Sequence, residues 1–211
     1  MGNVYIFRGI AATGKTTLSN MLAKKLSIPV FRKDDIVDAL IITQTDKNFI
    51  NNDACYNILY KIIQTNLDLN ADFIMDIALG DINNAKWFLD RLYFKDNNVI
   101  QFLIICSDEN EWRRRHEERV KNPLPNQVFK SFEHVAEHYK NADVKPLENE
   151  YVIDTADTLE KSFETVLEIV DNTYVCAYGY LHDYSKTSPS PEEEYGEPFN
   201  NLEDFWEALK I

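Results

Sequence analysis

Residues 9–16 read Gly-Ile-Ala-Ala-Thr-Gly-Lys-Thr, a complete G-x-x-x-x-G-K-[ST] pattern. This pattern constrains the fold because it works in one local setting: a strand, a tight glycine loop, then a helix. Both flanks agree with that setting. Asn3 to Phe7 is short, apolar and β-prone, and Thr16 to Leu26 carries Leu18, Met21, Leu22 and Leu26 at helical spacing. Gly9 and Gly14 let the backbone fold back so that several N–H groups converge on one anion. The helix from Lys15 adds the positive end of its dipole. A plain glycine turn explains the two glycines but not the Lys-Thr pair behind Gly14. The loop is therefore a phosphate cradle, with Gly9, Ala11, Ala12, Thr13, Gly14, Lys15, Thr16 and Thr17 around a nucleotide's phosphates. Lys15 is expected to reach the β- and γ-phosphates, exposed to that site rather than buried in the core. The Thr16 hydroxyl is expected to be a ligand of Mg²⁺, together with waters.

Further along, apolar runs alternate with helical patterns. Strands are predicted at 28–31, 73–76, 99–105 and 151–154. Helices are predicted at 15–26, after Asp35, at 48–69, 82–94, 109–120, 127–140 and 158–171. In the 48–69 helix, Ile50, Ala54, Ile58, Ile62 and Leu69 define the apolar face, with Leu59 and Ile63 beside it. Val99 to Ile105 is almost unbroken apolar, as a central parallel strand should be. Strand–helix alternation predicts an α/β fold: a parallel five-stranded sheet with helices on both faces. Ligands in such folds sit at the carboxyl ends of the strands. The phosphate loop, Asp34, Asp35 and Asp76 all follow strands, so the topology should gather them at one edge. Residues 1–171 are expected to form this domain. From 172 to 211 the composition shifts to Tyr, Pro, Glu and Asp, which predicts a C-terminal extension packed on the domain. Its last stretch, 201–211, could form a short helix burying Leu202, Phe205, Trp206 and Leu209.

The chain has 211 residues, 45% of them apolar, and a formal net charge of −13. That balance disfavours a stable complex with nucleic acid, which needs a basic face. Cys55, Cys106 and Cys176 show no CxxC or Cys/His spacing and read as reduced thiols of a cytoplasmic protein. No apolar run approaches the roughly 20 residues needed to span a bilayer. His134 and His138 are four apart, but the stretch is not HExxH, and a surface or core pair is favoured over a zinc site. The Asn-Lys-x-Asp element that reads guanine is missing, which makes ATP the default nucleotide.

Three more groups carry chemistry. One of Asp34 and Asp35 is expected to face a phosphoryl acceptor as general base or Mg²⁺ partner; helix capping is the competing reading. Asp76, at a strand end, can hold Mg²⁺ through water or bind the acceptor. Trp112 to Arg119 is a dense cationic helix with Arg115 and Arg119 on one face. Solvated Arg–Glu pairs are the competing reading, above all for Arg113 and Arg114. Pro123 and Pro125 follow, which suggests a lid over 113–126.

Gly9–Thr16, Lys33-Asp34-Asp35, the strand ending at Asp76 and Arg115-x-x-x-Arg119 before Pro125 resemble the small P-loop kinases. These include the kinase domain of polynucleotide kinase, zeta toxins, and gluconate- and shikimate-kinase-like enzymes. The resemblance covers roughly residues 1–170. It implies the three-layer P-loop NTPase sandwich, ATP and Mg²⁺ as cofactors, and transfer of the γ-phosphoryl group to a hydroxyl. It points to Asp34 as the base, Asp76 at the acceptor end, Arg115 on the ATP phosphates and Arg119 against the base of the nucleotide. Val37 stands where the polynucleotide kinase type has a phosphate-gripping arginine, and Ile77-Ala78 stand where it has Thr-Asn. The expected acceptor is therefore a small molecule: a metabolite, nucleoside or nucleotide-sugar. A polynucleotide 5′-hydroxyl kinase is the alternative, and a nucleotide-binding module with slow ATP hydrolysis is an alternative of another class.

Overall fold

The structure is a computed structural model that describes residues 1–43 and 52–178. The expected helix at 201–211 lies outside the described residues. Two compact units are distinguished, Met1–Val170 and Asp171–Ile211. In chain order the elements are β1 (Asn3–Arg8), α1 (Lys15–Leu26), β2 (Val30–Arg32), α2 (Lys33–Thr43), α3 (Asn52–Asp68) and β3 (Phe73–Ile77). Then follow α4 (Ile82–Leu89), β4 (Asn98–Ile105), α5 (Glu109–Lys121), α6 (Phe132–Tyr139), β5 (Glu150–Asp154) and α7 (Leu159–Tyr178).

The five strands form one all-parallel sheet in the order β2-β3-β1-β4-β5. β1 is central, and the chain leaves it in both directions, so the loop after β1 lies at the topological switch point. Val4 to Arg8 and Phe73 to Ile77 are buried without interruption. A strand buried at every residue has both faces covered, as a three-layer sandwich requires. Val4 and Ile6, two apart, share one face with Phe73, Met75 and Ile77. Leu59, Ile63 and Leu67 of α3 and Phe88 and Leu89 of α4 join that core cluster.

The buried stripe of α3 is Cys55, Leu59, Ile63 and Leu67. This corrects the predicted face by one residue: Ala54, Ile58 and Leu69 are exposed. Continuing the predicted face by four from Ile62 meets Asn66, whereas the observed stripe has no polar member. Each of its large side chains contributes about 1.5–3 kcal/mol by burial.

Other boundaries moved for local reasons. α4 ends at Leu89, not 94, because Arg91 and Leu92 turn back onto the carbonyls of Phe88 and Leu89. It starts at a true cap: Asp81 accepts from the N–H groups of Asn83 and Asn84. α6 starts at Phe132, not 127, because Ser131 caps it by accepting from His134 N–H. Residues 127–131 are thereby left as a loop. α2 begins at Lys33, so Asp34 and Asp35 lie inside its first turn. β3 runs one residue past Asp76, and α7 runs beyond the predicted end at 171 to Tyr178.

Candidate active site

The phosphate loop takes the shape its glycines allow. Gly9, Ala12 and Gly14 all have positive φ, at 152°, 63° and 91°. A Cβ on Gly9 would lie 2.3 Å from the carbonyl oxygen of Ile104, and one on Gly14 would lie 2.9 Å from Leu159 Cδ2. The first contact is with backbone and cannot be relieved by a side-chain shift. Three of the loop's carbonyls accept side-chain hydrogen bonds. Thr13 Oγ1 donates to Ile10 O at 3.0 Å, Trp112 Nε1 to Ala11 O at 2.8 Å, and Thr155 Oγ1 to Thr13 O at 2.7 Å. A glycine loop that opens a helix offers its N–H groups and the helix N-terminus to an anion.

Lys15 is only 8% exposed. It is largely enclosed by protein yet lines the wall of the site, so it is less exposed than expected. Its ammonium lies 3.7 Å from Asp76 Oδ1. Asp76 Oδ2 accepts from Ser19 Oγ at 3.1 Å and from Arg32 Nε at 2.9 Å. Arg32 sits opposite Asp76 across the β2–β3 ladder, which makes this a cross-strand pair. Asp76 is therefore held between two cations and a hydroxyl, next to the loop.

Two clefts open at the carboxyl edge of the sheet. The larger has a volume of about 960 Å³ and the smaller about 250 Å³. The smaller is walled by Ala12 to Thr17, Arg114, Arg115 and Leu159. The larger is walled by residues of α2, α3, α4 and α6 and by the loops after β3 and α5. Lys15, Thr16 and Arg119 line both. Asp34 lines the larger cleft with Lys33, whose ammonium is 3.8 Å from it. Asp35 is turned away: its side chain is 63% exposed and pairs with Arg32 at 3.6 Å. Asp35 and Asp76 are on the wall of neither cleft.

α5 separates its functions by helical face. Arg113 pairs with Glu109 and Glu133, and Arg114, at the rim of the smaller cleft, pairs with Glu111. Arg115 turns inward. Its Nε donates to Glu111 at 2.7 Å, and its other nitrogens donate to Thr155 Oγ1 and the Thr155 carbonyl at 2.7 and 2.6 Å. Hydrogen bonds from Arg114 and Arg115 pull the Glu111 carboxyl down to about 2. Arg115 is thus held beside Gly14, its Nη1 3.5 Å from the place a Cβ would take there.

Several site residues escaped the sequence reading. Arg8 is fully buried at the end of β1. It donates to Glu150 at 2.7 and 2.6 Å and to the carbonyls of Leu79, Gly80 and Lys145. It thereby ties the loop after β3 to the start of β5. A charged residue at a strand end ordinarily reads as solvated, so no local signal marks it. His116 is 1% exposed and lines the larger cleft, and among the described residues neither ring nitrogen has a hydrogen-bond partner. Burial pushes its pKa down, with the Arg119 guanidinium adding to the effect. Asp38 accepts from Asn126 through Oδ2, while its buried Oδ1 has no partner among the described residues. Burial raises its pKa, and Asp34 and Asp35 act in the same direction. The spacing of Asp34 and Asp38, four apart on a helix, was the available signal.

The comparisons with known proteins follow this geometry. An AAA domain family model matches residues 4–139, well over half of the chain. The chain belongs to the AAA domain family. Among solved structures, a candidate kinase from Chloroflexus aurantiacus is 20% identical, with a TM-score of 0.66, covering 83% of this chain and 97% of that one. Kti12 from Chaetomium thermophilum, in complex with ADP-AlF3, is 11% identical with a TM-score of 0.60, covering 80% and 97%. A gluconokinase from Sinorhizobium meliloti is 11% identical with a TM-score of 0.55, covering 84% and 98%. These solved structures share the fold, which is that of the P-loop kinases. No curated protein sequence matches the chain. Among the described residues, no helix is long and apolar enough to cross a membrane.

Proposed function

We propose that this AAA-domain protein is an ATP-dependent phosphotransferase acting on a hydroxyl of a small molecule. The observation that carries the reading is the meeting of two clefts at Lys15, Thr16 and Arg119. A nucleotide entering through the smaller cleft would lay its phosphates along the loop and present the terminal one at that junction. An acceptor in the larger cleft would meet it there. Arg115 then lies along the phosphates, and Arg119 covers charge as it develops during transfer. Asp34, on the acceptor side, takes the hydroxyl proton. Asp35 and Asp76 do not reach the acceptor in this reading; Asp76 instead faces Lys15 and the start of α1.

The oxygen donors beside the loop suit Mg²⁺, which favours hard oxygen ligands and keeps several waters. The Thr16 hydroxyl would hold it directly and Asp76 through water. When bound, it would neutralise charge on the transferring phosphates. The rest of the catalysis is positioning: the two clefts hold the two substrates in line and close to each other.

The gluconokinase among the structural neighbours favours a small acceptor, whereas Kti12, bound to ADP-AlF3, keeps an ATP-hydrolysing module in view. The test is turnover of γ-labelled ATP with and without acceptor pools. Acceptor-stimulated label transfer is expected. Slow hydrolysis that no acceptor stimulates would favour the module instead. Lys15→Ala should lower kcat by roughly 10²–10³-fold, about 3–4 kcal/mol, in line with loss of a charge aimed at the transition state. Near-normal turnover in that variant would remove the phosphate-loop assignment.

A further inference from the structure

We propose that the larger cleft takes an uncharged hydroxyl compound carrying a flat ring, and that His116 holds it by a hydrogen bond. This rests on the phosphotransferase reading above. It goes further by setting the charge class and shape of the acceptor.

The first argument is charge. Among the described residues, the lysines and arginines on the wall of the larger cleft are Lys15, Lys33 and Arg119. Lys15 and Arg119 are shared with the smaller cleft and committed to phosphate. Lys33 is already engaged: Asp34 lies 3.8 Å away, the Asn52 amide oxygen accepts from it at 3.1 Å, and it sits 5.1 Å over the Tyr56 ring. Among the described residues, no lysine or arginine of this wall is left to grip a carboxylate or phosphate on the acceptor. Burying an anion without a partner is costly. A cationic acceptor gains little either. Asp34 is occupied by Lys33, Asp81 on the same wall is taken up by the N–H groups of Asn83, Asn84 and Asp143, and Asp53, the third acid there, is not free either.

The second argument is shape. Tyr56 of α3 and Trp87 of α4 meet edge to face at 5.8 Å, and both line the cleft. Phe129 and His138 line it too, with ring centroids 4.8 Å apart. Such ring surfaces accept a flat apolar face.

The third argument is His116. A side chain 1% exposed with two unpaired polar nitrogens is rare, because an unmet buried polar group costs about 1–3 kcal/mol. Its ring meets that of Phe132 edge to face at 6.3 Å, and the residue lines the cleft. A neutral imidazole offers one donor and one acceptor, which matches a hydroxyl or an amide-like edge and not a second charge. In the reaction, the bond between the γ-phosphorus and the oxygen bridging to ADP breaks. A bond from that phosphorus to the acceptor oxygen forms, and the hydroxyl proton goes to Asp34. The products are ADP and a phosphate monoester.

The experiment passes a deproteinised yeast metabolite extract over an anion-exchange resin and the flow-through over a cation-exchange resin. Each fraction is assayed with γ-labelled ATP and the wild-type protein. Label transfer should be carried by the fraction that neither resin retains. His116→Ala should raise the apparent KM for that fraction at least tenfold while leaving the KM for ATP within twofold. His116→Phe fills the space beside Phe132 and guards against collapse of the site; it should show the same split. Transfer carried by a resin-bound fraction would overturn the inference while leaving the phosphotransferase reading standing. So would His116 variants that shift KM for ATP and not for the acceptor fraction. Transfer to no fraction, with acceptor-independent hydrolysis only, would remove both.

Discussion

Asp34 and Asp35 are neighbours in sequence but occupy different places: one on the cleft wall, the other turned out to Arg32. That separation turns a pair of equivalent candidates into one. Asp34→Asn keeps the side chain's size and its capping ability but removes the base. It should lower kcat by about 10²–10⁴-fold while changing the KM for ATP little. Steady-state kinetics at saturating ATP reads this directly. If Asp35→Asn is the damaging change instead, the base is wrongly chosen. If both are silent, the two acids serve the first turn of α2 and nothing more.

At the scale of elements, the site is a set of helices and loops pinned by buried polar side chains. Arg8 and Glu150, each with a fully buried side chain, form the clearest pin. Removing one partner leaves a charge uncompensated in the interior, so Glu150→Ala should cost about 3–5 kcal/mol. A chain of this length should then melt roughly 10 °C lower, which calorimetry can check. A loss under about 1 kcal/mol would mean that water replaces the carboxylate. α5 carries a second, pH-dependent element in His116. Its folded pKa is lowered, so the unfolded chain binds the proton more readily. Stability is full above the ordinary histidine range, near pH 6.5, and is lost as pH falls from there toward the folded value. The melting temperature should therefore drop between pH 7.5 and pH 5.5, and His116→Phe should flatten that part of the profile. An unchanged slope in the variant would assign the pH dependence to other groups.

For the whole molecule, the formal charge of −13 acts on any polyanionic partner. Long DNA or RNA should bind weakly and with steep salt dependence. Titration of a 5′-hydroxyl oligonucleotide at low salt, with end-labelling measured alongside, tests this. Submicromolar binding with efficient labelling would move the acceptor class to polynucleotides. Lys24, Lys25, Arg32 and Lys33 are the residues from which a basic groove would have to be built. Two of them already have other partners: Arg32 is tied to Asp76, and Lys33 to Asp34 and Asn52.

The local chemistry of the site was legible in the chain alone. A complete phosphate-loop pattern between an apolar strand and an amphipathic helix leaves few alternatives, since glycine tolerance and helix-terminal N–H groups are local properties. Alternating strand and helix periodicity likewise implied the parallel sheet and the gathering of the loop, Asp34 and Asp76 at its carboxyl edge. What stayed hidden depended on contacts between residues far apart in sequence. Which stripe of α3 is buried depends on which one meets the sheet, and two adjacent stripes were both largely apolar. Arg8 lies 142 positions from Glu150, and no periodicity links them. The lone imidazole of His116 reads as surface within a run of charges until α6 and Phe132 close over it. Helix ends at Asp81 and Ser131 were decided by capping. The meeting of two clefts at Lys15, Thr16 and Arg119 exists only once the sheet order has placed α5 beside the phosphate loop, because a cavity is a property of packed elements and not of any one of them.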